Sequence, residues 1–552
     1  MKSIRETENI RPLHWSLTTV LSSLALAFGL NAGEESKPTA ASQRPFEPVA
    51  LAPHAGQEFA KRGIKFQAPF PNSANRGRKF NPQGDTVPPL TTASQQKLVV
   101  LFVRFTDSPP GGPADPISLT YFDEMLFGTT YNPPEYNNNA PTDRTLVNYY
   151  KEVSYGAVNV ITLNMPSSLG WANLGHPYSY YCHQDNGFGA YPTNVQGLVI
   201  DAIKALDPVI DFSQYAVNGV IPNLFVVHTG SGAEWSGTLD LIWSHAWDLT
   251  EGTGLDGFMV DGVKVNSYAM MPEIGGDTTG VWGPPTGPYP PTVGVFAHEY
   301  GHVLGLPDLY DYGYESQGVG LCSLMAAGSW NGHTPEALHA GNSPAHLDAW
   351  SKYRLGFVTP IEVTGLTAAV LPAVETSPVV YKMTVPGSGG REYFLLENRQ
   401  PVGFDEGLWN FDGNGNPEWL HGLAIYHVDD TVLTRNYWRC NEAENWQEFR
   451  STGWQSAWTG ESHYAVSLIQ ADGLWTLEKG LSLGFAGNLY PGSFGVTGFG
   501  NFTSPNSSSY YFYGGNAPRF GYSGVTVSNI KEDGGVIKAQ LTFKPVTPTT
   551  KR

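Results

Sequence analysis

The stretch "AHEYGHVLGLPDLYDYG", residues 297–313, constrains this chain more than any other, because it dictates a helix and also where that helix must stop. It continues the apolar run "PTVGVF", and the spacing predicts a buried helix with His298 and His302 at i and i+4. Residues four apart share one helix face, so both imidazoles can reach one tetrahedral metal, for which zinc is suited. Glu299, beside the first histidine, leans toward the open coordination position. There a carboxylate can take a proton from water and pass it on. Gly305 can adopt positive φ and end the helix, and Pro307 bars its continuation. The chain must turn. Asp308 then arrives ten residues after His298, the offset at which a third histidine stands in HExxHxxGxxH sites. Zinc accepts a carboxylate oxygen at a similar distance. His298, His302 and Asp308 are therefore the expected metal ligands and Glu299 the expected general base. Asp311, Glu315 and Glu336 stay open as alternatives for the third ligand.

Shortly downstream, "LCSLMAAGSW" (residues 321–330) places Met325 in a tight, small-residue segment. A methionine turn after such a motif forms an apolar floor beneath the metal without ligating it. The tyrosine that often follows two residues later is absent, since that position is Ala327.

The chain has 552 residues, a formal charge of -18 and a pI near 5.2, which argues against a nucleic-acid partner needing a basic face. Lys2, Arg5 and Arg11 precede the apolar run "LTTVLSSLALAFGL", followed by small and polar residues. This is the pattern of a secretory signal peptide over residues 1–32, and the run is short for a membrane span. A secreted, extracellular chain with no stable membrane insertion after signal removal is expected. Cys182, Cys322 and Cys440 lie far apart without CxxC spacing, which rules out a disulfide framework or a thiolate zinc cluster.

Residues 33–95, rich in Pro, Gly, Ser, Asn and Gln, read as a prosegment or linker. "NRGRKF" (residues 75–80) reads either as an exposed cleavage target or as an ordinary loop. If the segment confers latency, it cannot do so through a thiol, because no cysteine precedes residue 96; Asp85 is one candidate carboxylate cap. From "KLVVLFVRF" onward, buried strands alternate with helical stretches such as "TLVNYYKEVSYG" and "VQGLVIDAIKAL". "GFMVDGVKVNSYAMM" reads as a hairpin turning at Asp261-Gly262. After Pro360 the texture becomes short strands divided by Gly, Pro and Asn turns, as in a sandwich or jelly roll. The expected class is α+β, with a catalytic domain over 96–358 and a β-rich domain over 359–546.

The motifs "VFAHEYGHVLGLPDLYD", "SLMAAGSW" and "PAHLDAWSKYRLGFV", with weaker matches from "NYYKEVSYG" to "SLIQADG", resemble the immune inhibitor A family of secreted bacterial metalloproteases. The resemblance implies a zinc endopeptidase made as a precursor, with a metzincin-like catalytic domain acting on protein or peptide substrates. It also implies His298, His302 and Asp308 as ligands, Glu299 as base, and structural calcium. In "NFDGNGNPEW", Asp412, Asn414 and Asn416 offer oxygens at alternate positions. Pro417 replaces the glycine an EF-hand loop needs, so the stretch reads as a surface turn. Two other readings remain at this stage: a catalytically degenerate binding or adhesion protein, and a zinc hydrolase of another amide. His245 and His463, in matching segments, read as structural because neither has a helical ligand partner.

Overall fold

The computed structural model describes residues 47–48, 52 and 94–543, apart from 111, 114, 134–141, 164–169, 281–286, 334–339, 413, 436, 443–462 and 512–520. The expected signal peptide, the "NRGRKF" stretch, Asp85 and Glu336 lie outside the described residues.

"VVLFVR" (Val99–Arg104) alternates strictly between two apolar layers. Val100 and Phe102 enter one core and Val99, Leu101 and Val103 the other. A strand covered on both faces reads as continuously hydrophobic, because each face of the pleat must match a packed layer. Leu224–Ser231 repeats the pattern, with Phe225 and Val227 on one side and Leu224 and Val226 on the other. These strands belong to a six-stranded sheet. Its order is Glu47–Pro48, His245–Asp248, Ser267–Ile274, Leu224–Ser231, Val99–Arg104, Ala172–Asn173. The last four run parallel, while His245–Asp248 pairs antiparallel with Ser267–Ile274. Glu47 and Pro48 pair antiparallel with Ala246 and His245, so backbone from the 33–95 segment forms the edge of the sheet beside His245–Asp248.

One face of the sheet carries the helices Leu119–Phe127, Leu146–Val153 and Val293–Val303. The other carries Val195–Leu206. Local chemistry sets their starts: Thr145 accepts from Asn148 N–H and Asn194 from Gly197 N–H, satisfying first-turn donors that have no helical partner. The hairpin at Asp261-Gly262 is present, with both residues at positive φ (50° and 75°) as a type I′ turn requires. It forms in a small separate sheet, however, and the "SYAMM" that follows leaves it for the main sheet.

Beyond residue 358 two larger sheets form, besides the two-stranded pair Trp409–Phe411 and Pro417–Trp419. One has five strands, in the order Ile361–Glu362, Tyr381–Thr384, Glu392–Arg399, Gly422–Asp429, Val466–Leu468. The other has four, in the order Thr367–Leu371, Val536–Phe543, Val525–Asp533, Phe499–Gly500. Phe394, Leu396, Leu423 and Ile425 pack with Val525, Val527, Ile537 and Leu541 to form the layer between them. The alternate residues Leu395, Ala424, Tyr426 and Val428 point the other way, into the core that also holds the Val293–Val303 helix. The protein is thus a mixed α and β structure whose apolar core runs without a break past residue 358. Among the described residues no helix is long and apolar enough to cross a membrane.

A buried ion cluster pins this junction. Arg399 makes a two-pronged contact with Asp405, Nε to Oδ2 at 2.7 Å and Nη2 to Oδ1 at 2.8 Å, and Nη1 donates to the Cys322 carbonyl at 2.6 Å. Burial alone would raise the Asp405 carboxyl, but the guanidinium outweighs it and holds the group well below the usual carboxylate range. Replacing Arg399 with Met leaves Asp405 buried without its cation. Breaking such a pair from one side costs about 3–5 kcal/mol. The expected outcome is a lower denaturant midpoint in equilibrium unfolding of Arg399→Met, and an unchanged midpoint would contradict the role given to the cluster.

Candidate metal centre

The Val293–Val303 helix is buried along its whole length, as its lack of a polar face demands. Gly305 then turns at φ 100°, with its N–H on the His302 carbonyl at 2.8 Å and Leu306 N–H on Gly301 at 3.1 Å. This closes the helix and swings Asp308 back over the histidine face.

His298 and His302 present their rings at right angles, 4.7 Å between centroids. Each Nδ1 faces a backbone carbonyl, His298 that of Leu324 at 2.8 Å and His302 that of Leu306 at 2.9 Å. A carbonyl only accepts, so the protons sit on Nδ1 and both Nε2 atoms carry lone pairs. Those Nε2 atoms lie 3.0 Å apart, and Asp308 Oδ1 stands 3.2 Å from one and 3.4 Å from the other. Among the described residues this is the one group of three potential ligands within 4.8 Å of one another. Burial lowers the basicity of His298, favouring the neutral imidazole that can ligate. Three converging electron-pair donors repel one another unless a cation lies among them, and two imidazole nitrogens with one carboxylate oxygen suit zinc.

The floor comes from the methionine segment. A Cβ on Gly301 would stand 2.5 Å from Met325 Sδ, so the thioether packs against the helix between the two histidines. Met325 O accepts from Leu309 N–H at 2.7 Å, and Leu324 O holds His298, so this segment fixes both the helix ligand and the returning turn. Glu299 is fully buried next to His298 on the helix. Tyr310, whose phenol pKa is raised chiefly by burial, also feels the charges of Asp308 and Glu299, which places all three in one neighbourhood.

The other sequence candidates lie elsewhere. Asp311 spends its carboxylate on the N–H groups of Gly313, Glu315 and Ser316, shaping its own loop. His245 contacts the Trp243 carbonyl and the Tyr268 hydroxyl, and His463 contacts Asp429. Asp412 accepts the N–H groups of Asn416 and Asn414, each at 2.8 Å, which lowers its pKa to about 2 and commits its oxygens to the turn itself. All three cysteines are buried free thiols.

Two features escaped the sequence reading. Tyr312 donates its hydroxyl to Asp308 Oδ2 at 2.7 Å. A distant segment, residues 437–441, also lies against the turn. Tyr437 donates to the Gly305 carbonyl at 2.9 Å, Asn441 Nδ2 to Leu309 O at 3.1 Å, and Cys440 Sγ to Asp308 O at 3.6 Å. The first had a weak signal, a tyrosine at i+4 from Asp308; the second had none.

The residues of this centre lie within a region that matches a known family. Residues 93–358 match the family described as "Immune inhibitor A peptidase M6, catalytic domain". This region belongs to the immune inhibitor A peptidase family. "Immune inhibitor A" of Bacillus thuringiensis subsp. alesti is 30% identical over 292 residues, 47% of this chain and 40% of the relative. "Pre-pro-metalloprotease PrtV" of Vibrio cholerae serotype O1 (strain M66-2) is 28% identical over 291 residues, 46% of this chain and 29% of the relative. The chain thus spans less than half the length of these relatives.

Proposed function

We propose that this chain is a secreted zinc-dependent endopeptidase that hydrolyses peptide bonds of protein substrates. The observation that carries the reading is the convergence of His298 Nε2, His302 Nε2 and Asp308 Oδ1 inside a region of the immune inhibitor A peptidase family. These three atoms would hold the metal, and zinc in such a site supplies Lewis-acid chemistry, polarising a carbonyl and lowering the pKa of water. Glu299 takes the proton of the attacking water and returns it to the leaving nitrogen. Its burial keeps that carboxylate out of bulk solvent, so its charge acts more strongly on a nearby proton than it would in water. Substrate backbone would add as a strand along His245–Asp248, in the place that Glu47–Pro48 takes in this structure, a mode in which main-chain hydrogen bonds give affinity. The antiparallel pairing of Glu47–Pro48 with that strand supports it as an acceptor of extended chain. The mixed sheet, in which His245–Asp248 runs antiparallel to its neighbours, the Gly305 turn and Met325 beneath the helix support a metzincin-like catalytic region.

Casein hydrolysis by the purified chain tests the reading. Activity should vanish with a zinc chelator and return on adding zinc after the chelator is removed. Hydrolysis unaffected by complete zinc removal would overturn it, as would a zinc-loaded, folded chain inert toward casein, gelatin and a peptide library.

A further inference from the structure

Asp308 presents its two oxygens to different partners. Oδ1 faces the Nε2 atoms of His298 and His302, while Oδ2 accepts the Tyr312 hydroxyl at 2.7 Å. A short hydrogen bond from a phenol to a carboxylate is charge-assisted and stronger than a neutral one. Tyr312 is itself fully buried and held from outside its own turn. The Trp438 carbonyl stands 3.5 Å from its oxygen, and the Arg439 guanidinium lies over its ring, 5.6 Å from the centroid. The Asp308 backbone is fixed as well, by Cys440 Sγ on its carbonyl and Asn441 on that of Leu309. The phenol cannot swing without breaking its contacts with Trp438 and Arg439.

We propose that Tyr312 is a positioning residue that makes Asp308 a one-oxygen metal ligand. Binding through both oxygens would require Oδ2 to turn from a committed hydrogen bond toward the cation. The phenol therefore holds the coordination number low and leaves room at the metal for water and substrate, as catalytic zinc sites require. Partners that orient a ligand in this way commonly contribute 10–100-fold to metal affinity. The inference rests on the zinc reading above and deepens it.

The test compares the full-length chain with its Tyr312→Phe variant in two measurements that do not depend on turnover. Chelator competition gives zinc affinity, and X-ray absorption at the zinc edge gives the number of oxygen neighbours. The wild type should show a single Asp308 oxygen bound. Tyr312→Phe should bind zinc about 10–100-fold more weakly and gain an oxygen neighbour as Oδ2 is released. Two Asp308 oxygens at bonding distance in the wild type would overturn the proposal, and that result does not depend on the variant folding. So would a variant matching the wild type in both affinity and coordination. A wild-type chain that binds no zinc would overturn the underlying reading too, so the two failures are distinguishable.

Discussion

Replacing Glu299 with alanine is expected to reduce peptide hydrolysis by about 100- to 10,000-fold, the range in which a positioned general base contributes, with zinc content unchanged. The reason lies in how the motif divides its labour. His298 and His302 point their Nε2 atoms at Asp308 Oδ1, and each is oriented by its own carbonyl partner, Leu324 or Leu306. None of these contacts involves the Glu299 side chain, so its truncation leaves the ligand set in place. Metal analysis and a casein assay on the same preparation separate the two effects. Near wild-type turnover in Glu299→Ala would require another base and undo the proposed mechanism.

His302→Ala should act the other way, through the metal. It removes one of three protein ligands and also the Nδ1 bond to the Leu306 carbonyl, which helps fix the turn leading to Asp308. A per-ligand share of zinc-site binding energy corresponds to a loss on the order of a thousandfold in affinity. After dialysis against a weak chelator the variant should be largely metal-free and inactive, while the wild type stays loaded. Full zinc occupancy in His302→Ala would mean that the site assignment is wrong.

The parts of this structure legible in the sequence are those whose physics is local. Gly305 and Pro307 announce the end of the motif helix because positive φ and a missing N–H act on their immediate neighbours. "VVLFVR" and "LFVVHT" read as buried strands because apolar layers cover both faces. "VQGLVIDAIKAL" reads as a helix, and one forms over Val195–Leu206. What escaped depends on long-range packing. Nothing near Glu47–Pro48 indicates that its backbone lies along His245–Asp248. Nothing near Arg399 says that its guanidinium reaches the carbonyl of Cys322. "SYAMM" continues smoothly from the Val263–Val265 strand, and only tertiary pairing with Leu224–Ser231 moves it to another sheet. At the site, the helix ligands were legible from their spacing, whereas the segment that braces the Asp308 turn lies more than a hundred residues away.

That distance has a consequence for the order in which the molecule assembles. The contacts of Gly305, Asp308, Leu309 and Tyr312 with residues 437–441 close loops of 126 to 132 residues. Loop-closure entropy must be met before such contacts can stabilise anything, and non-local pairings form later than helices and hairpins. A chain emerging from the ribosome can wind the helix bearing His298 and His302 long before Asn441 has been made. The aspartate turn gains its last restraints only when that residue arrives, so the centre begins as a two-histidine helix and matures once residues 437–441 have been made.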